Sequence, residues 1–213
     1  MDRKRASMKL LKQKRAMVGL EAAIILIAFV IIAAAFSFMV TNQGLFATER
    51  GKTVIQEGLK QASTPLTIDG SVLVRTGDDG KNVTAMVVPL RAFGVKYVPM
   101  WENQTVVTLK VGQTAWANVY SGVNTTDPTG KKFDELVTGV SAGNATLFIQ
   151  NSNGDESLDA FEKGYLIVNL GLANAAPVRT AITIEVRLEK NAPLSIEFNI
   201  PEAMPKATWV FVS

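Results

Sequence analysis

Residues 12–36 read KQKRAMVGLEAAIILIAFVIIAAAF, and the apolar run inside them limits what the chain can become. Ala22 to Val40 is nineteen residues, and nothing from Ala22 to Thr48 is charged. As a helix those nineteen residues would extend roughly 28 Å at 1.5 Å per residue, close to the roughly 30 Å of a bilayer's hydrocarbon core. One acid, Glu21, sits at the rim of the run, directly after Met17-Val18-Gly19-Leu20. A carboxylate in that position is costly unless something pairs with it, so it points to a partner.

The formal charge of the chain, 22 basic against 19 acidic residues, misleads until the chain is divided. Residues 1–16 hold Arg3, Lys4, Arg5, Lys9, Lys12, Lys14 and Arg15 against a single acid, Asp2. The remainder carries 15 basic and 18 acidic residues. The positive charge therefore belongs to a leader, where it holds that end cytoplasmic. A nucleic-acid partner is not expected, because its footprint would be a basic face on the folded part. The chain has neither histidine nor cysteine. Disulfides, thiol nucleophiles and thiolate metal sites are excluded, as is the commonest general base. No spacing of Ser, Lys or carboxylates promotes a catalytic set, so no enzyme is expected.

A secretory signal places its small-residue cleavage site after the apolar stretch. Here Lys14-Arg15-Ala16 precedes it, followed by Met17-Val18-Gly19-Leu20-Glu21. This arrangement resembles the class III signal of type IV pilins and archaeal flagellins (archaellins). In that superfamily a membrane peptidase removes a short basic leader and leaves the apolar helix on the mature protein. The resemblance implies cleavage between Ala16 and Met17, placing Gly19 third and Glu21 fifth in the mature chain. Archaellins commonly have Gly at the third position and type IV pilins have Glu at the fifth. Ala16 departs from the Gly usual before the cut. A cut within MVG/LE and an uncleaved single-span anchor are the competing readings. Over some fifty residues, AAIILIAFVIIAAAF and then TNQGLFATERGKTVIQEGLKQASTPLTIDGSVLV look like the archaellin amino-terminal region.

The polar continuation has its own pattern. Gly44, Gly51 and Gly58 recur every seven residues, with Ala47, Ile55 and Ala62 near the same face. Glycine within a helix costs about 1 kcal/mol relative to alanine. Three in register therefore call for a reason, and a small-residue stripe lets helices approach closely. The expected domains are a leader over 1–16, an assembly helix over 17–63 and an extracellular β domain over 64–213. In the competing reading the glycines mark loops and the helix ends near Val40. Ser63-Thr64-Pro65 should end the helix, because the residue before proline is pushed out of the α region.

Beyond Pro65 the apolar residues alternate. Leu66, Ile68, Val72 and Val74 form one set, Ile182 to Leu188 another and Leu194 to Ile200 a third. Shorter runs lie at 83–88, 105–111, 115–120, 145–150, 165–170 and 208–212. About nine short strands between turn clusters predict an antiparallel β-sandwich or barrel, Ig-like in form. The fold class expected for the whole chain is thus α+β, a long apolar helix followed by that domain.

Four Asn-x-Thr sequons fall in the β domain, at Asn82, Asn103, Asn124 and Asn144. They are candidate N-glycosylation sites, and archaellins are typically glycoproteins; accidental sequons in a Thr-rich domain are the alternative. The segment Asn151 to Glu162 aligns with a twelve-residue calcium loop. Asn151, Asn153 and Asp155 take positions one, three and five, Ser157 the carbonyl position and Glu162 the bidentate last ligand. Glu156 stands where that loop needs glycine, and an acidic turn without a metal is the competing reading. Structural Ca2+ and N-linked glycans are the groups expected to be bound.

The resemblance implies a structural subunit of the archaellum, a motility filament in which helices of neighbouring copies bundle into a shaft. It also implies as partners other copies of the chain, the preflagellin peptidase, and the archaellum export and motor machinery. The precursor would sit in the cytoplasmic membrane and the mature protein in the extracellular filament. The rival readings are an archaeal type IV adhesion pilin and a membrane-tethered binding or catalytic domain.

Overall fold

The computed structural model describes residues 2–62, 64–189 and 191–212, with side chains in the long helix described for residues 18–59. The chain divides into two units, Met1–Glu57 and Gly58–Ser213.

The first unit lies within one helix, α1 (Asp2–Ala62), 61 residues without interruption. Its backbone runs through the expected cleavage point at Ala16 and Met17 and past Val40. The glycines at 44, 51 and 58 are thus helical rather than loop residues. The helix survives them because the surrounding residues are mostly strong helix formers. Ser63 lies outside the described residues; Thr64 and Pro65 are non-helical and a strand opens at Leu66.

The second unit holds fourteen strands among the described residues. In chain order they are β1 (Leu66–Ile68), β2 (Val72–Thr76), β3 (Asn82–Ala92), β4 (Tyr97–Pro99), β5 (Thr105–Val111), β6 (Thr114–Trp116) and β7 (Tyr120–Asn124). A short helix, α2 (Phe133–Thr138), precedes β8 (Asn144–Gln150), β9 (Ser157–Asp159), β10 (Lys163–Asn169) and β11 (Ala176–Pro177). The last three are β12 (Ala181–Leu188), β13 (Leu194–Asn199) and β14 (Trp209–Val212).

The main sheet has eight strands in the order β14-β2-β3-β10-β8-β7, with β1 and β11 also pairing with β3. A second sheet runs β13-β12-β5-β6, and β4 pairs with β9 apart from both. All pairings are antiparallel except β7 with β8. The apolar alternation builds one core between the two larger sheets. Val74, Met86, Val88, Leu147, Leu166 and Val168 meet Val107, Leu109, Ile182, Ile184, Ile196 and Phe198 there. Val88, Leu166 and Leu147 sit opposite one another across three strands and form one row of that core.

Successive residues of a strand point to opposite faces. Val87, Phe148 and Ile167 therefore face the other way, where Leu136 and Val140 cover them as a second buried cluster. The helix α2 and the turn after it supply that lid. Asp134 fastens it by accepting hydrogen bonds from Arg75 Nε at 2.6 Å and Trp209 Nε1 at 3.3 Å. Phe133 packs on both Tyr165 and Trp209, at 5.7 and 5.6 Å between ring centroids.

The strand expected over 115–120 is split. Only Thr114–Trp116 and, separately, Tyr120–Asn124 are strands, and they belong to different sheets. The cause is Asn118, whose Oδ1 accepts the amides of both Val107 and Tyr120, at 3.2 and 3.0 Å. That side chain takes the place of a ladder partner and lets the chain cross between sheets.

Candidate functional site

Every described residue of the apolar helix is exposed within the chain. The stretch Val18–Leu59 qualifies by length and composition as a membrane span and is 0% buried. Ile24, Leu26, Phe29, Ile32, Phe36 and Phe38 each leave at least 58% of their surface uncovered. Monomeric soluble proteins seldom expose contiguous apolar patches beyond a few hundred Å². This one requires lipid, or further copies, around it.

Its polar half carries the glycine stripe. A Cβ added at Gly19, Gly44, Gly51 or Gly58 would meet nothing within 4 Å. Nothing within the helix itself requires these glycines. The stripe is longer than the glycines alone. Ser37, Thr41, Gly44, Thr48, Gly51, Ile55 and Gly58 follow alternate spacings of four and three, so they share one helix face. Within it Thr41 Oγ1 donates to the Ser37 carbonyl and Thr48 Oγ1 to the Gly44 carbonyl, both at 2.8 Å. These hydroxyls are satisfied within their own helix, so burying them against a neighbour would leave no donor without a partner. Sequence reading found the glycines and missed the threonines, whose spacing was the available signal. Glu21 is exposed near the start of this surface, while the side chains of Ala16 and Met17 lie outside the described ones.

The four sequons occupy different settings. Asn82 and Asn144 are the first residues of β3 and β8 and are half-buried. Their threonines are buried, Thr84 with 8% and Thr146 with 7% exposure. Thr146 Oγ1 lies 2.8 Å from Ser121 Oγ. Asn124 closes β7, and its Oδ1 accepts the amide of Thr126 at 2.9 Å. Asn103 is exposed in the turn before β5, but Thr105 is fully buried. Thr105 Oγ1 has no hydrogen-bond partner, alone among the buried side-chain polar atoms of the described residues.

The segment aligned with a calcium loop closes on itself. Asn151 takes a left-handed conformation, φ 60°. The amide of Asp155 donates to Asn153 Oδ1 at 2.9 Å and that of Ser157 to Asp155 Oδ1 at 2.8 Å. Glu162, only 5% exposed, accepts the amides of Asn153 and Asp159, one on each carboxylate oxygen and both at 2.9 Å. Side-chain oxygens of Asn153, Asp155 and Glu162, three of the five expected ligand residues, thus accept backbone amides. Ser157 begins β9, and the described residues contain no group of three or more His, Cys, Asp or Glu disposed to hold a metal ion. The turn is closed by its own backbone hydrogen bonds.

Comparison with known proteins agrees with the two-part architecture. The archaeal-type flagellin family matches residues 16–198. A probable flagellin 1 of Aeropyrum pernix is 34% identical over 92% of this chain and 96% of its own. A probable flagellin 1 of Archaeoglobus fulgidus is 30% identical over 92% and 95%. Among solved structures, an archaeal flagellin from Methanocaldococcus jannaschii matches 69% of this chain and 95% of its own, with TM-score 0.58 and 17% identity. A chain of the archaeal flagellum of Methanospirillum hungatei matches 91% and 98%, with TM-score 0.55 and 17% identity. At that identity the structural likeness speaks for the fold.

Proposed function

The chain belongs to the archaeal-type flagellin family, a family of structural filament proteins, and we propose that α1 is the element through which it polymerises. The protein is a structural subunit of the archaellum filament, an extracellular polymer of copies of itself. The observation that carries the role of α1 is its coverage: apolar from Ala22 to Val40, then lined by a small-residue face, and unburied over its described residues, 18–59. In the precursor the bilayer solvates that surface; in the filament neighbouring helices replace the lipid.

The preflagellin peptidase cuts between Ala16 and Met17, removing the basic leader from the helix. Retention of the leader would place seven basic residues at the end of each helix in the bundle, where they repel one another. Export and rotation fall to the archaellum machinery. The sequons carry N-linked glycans. Deleting the chain's gene should remove both the filaments and swimming. Cells that keep swimming without it, or lose only surface attachment, would overturn the motility assignment and favour an adhesion pilus.

A further inference from the structure

The turn that carries Asn103 also carries an aromatic side chain that the core does not use. The amides of Gln104 and Thr105 both donate to the Trp101 carbonyl, at 3.1 and 3.0 Å. Residues 101–105 therefore form one tight reversal, with Trp101 entering it and Asn103 at its third position. Trp101 stands 42% exposed, whereas Trp116 and Trp209 are half-buried against apolar neighbours. A shallow hollow of about 690 Å³ opens at the turn, lined by Trp101, Glu102, Asn103, Gln104 and Glu156. The backbone beneath it is fixed, since Tyr120 Oη donates to the Met100 carbonyl at 2.6 Å. The amide of Met100 in turn bonds the Glu156 carbonyl at 3.1 Å.

An aromatic face carries negative charge density at its centre. The C–H bonds on one side of a pyranose ring present weak positive charge and apolar surface to such a face. Carboxylates and amides around the rim suit the sugar's hydroxyls. We propose that Trp101 is a stacking platform for the first sugar of a glycan on Asn103, with Glu102, Gln104 and Glu156 around its hydroxyls. The inference rests on the glycosylation reading of Asn103. In that reaction Nδ2 of Asn103 bonds to the anomeric carbon of a lipid-linked phosphosugar donor. The bond from that carbon to the phosphate oxygen breaks, the lipid phosphate leaves with the electron pair, and the amide loses one proton. When the chain folds, the turn brings the Trp101 ring beside the sugar on Asn103.

The test uses the mature chain from sheared filaments, dispersed in detergent. Mass spectrometry of the peptide containing Asn103 reports occupancy, and its absence would remove the premise and the platform together. With occupancy found, iodide quenching of tryptophan fluorescence should rise in Asn103→Gln and stay unchanged in Asn124→Gln. Trp101→Ala should lower the melting temperature of the glycosylated chain by roughly 2–4 °C, with Trp101→Phe restoring most of it. In the Asn103→Gln background the same Trp101→Ala change should have no effect. An occupied Asn103 with unchanged quenching in Asn103→Gln would overturn the platform alone, even if Trp101→Ala does not fold.

Discussion

The buried carboxylate of Glu162 accepts the amide hydrogen of Asn153, nine residues earlier, at 2.9 Å. It closes the segment between β8 and β10 from within. Leu158, completely buried, is carried on the same segment. Its two methyl groups lie 3.3 and 3.4 Å from where a Cβ on Gly164 would sit, so any larger residue there would push on Leu158. The carboxylate thus positions a core side chain.

From this arrangement follows the first expected outcome. Glu162→Ala strands two amides and should lower stability by about 1–3 kcal/mol. Glu162→Gln should be nearly as damaging, because its amide group meets one backbone donor with another. A calcium chelator should leave the melting temperature of the unmutated chain unchanged. A chelator-induced fall that Glu162→Gln abolishes would show instead that a cation completes the loop.

How much of this was legible beforehand depends on the element. The helix could be read through Ala62 because composition and spacing agree over its whole length. The strands β5, β12 and β13 could be read because one face of each is buried and the other wet. By contrast β3 is buried on both faces, which hides alternation, and its eleven residues exceed the expected run at 83–88. The short helix α2 left no periodicity to detect in six residues. Its reason for existing, the apolar underside of the main sheet at Val87, Phe148 and Ile167, is tertiary. The loop at 151–162 has calcium-loop spacing, but its oxygens turn to local amides. Asn and Asp side chains readily bond amides two residues on, a competitor that spacing alone does not weigh.

Sequon burial predicts an order of events. A transferase must reach both the Asn amide and the hydroxyl two residues later, and in the folded domain Thr84, Thr105 and Thr146 are buried. Modification at Asn82, Asn103 and Asn144 should therefore precede folding. Unglycosylated chain, folded and then offered to the transferase with its lipid-linked donor, should gain glycan at Asn124 alone. Chain offered in denaturant-unfolded form should gain it at the others as well. Equal modification of all four sites in the folded chain would refute this order.

Gly51→Leu tests the small-residue face. The helix gains propensity, so the precursor should reach the membrane in normal amounts. The added side chain fills the space that neighbouring backbones need, and overpacking costs about 1–3 kcal/mol at each contact. Because every subunit repeats the contact, filaments counted by electron microscopy should be lost. Ala at the same position should be tolerated far better. Normal filaments from Gly51→Leu would show that this face does not meet another helix.

Glu21 supplies the last prediction. Cleavage after Ala16 creates a charged amine on Met17, four residues before Glu21 in sequence and at the same apolar end. An α-amine with a pKa near 8 is mostly protonated at neutral pH. Within one helix Glu21 would gain only the modest favour that acids find near a helix start. Between staggered helices its carboxylate can meet the amine of the adjoining copy, so that two costly charges neutralise each other. Removing one partner from such a buried pair costs about 3–5 kcal/mol. Glu21→Gln should therefore be inserted and trimmed normally yet enter filaments poorly, and uncleaved precursor should not enter at all. Amino-terminal sequencing of sheared filaments checks the premise, since a start other than Met17 would move the amine away from Glu21. Wild-type incorporation of Glu21→Gln would assign the acid to the dipole of its own helix.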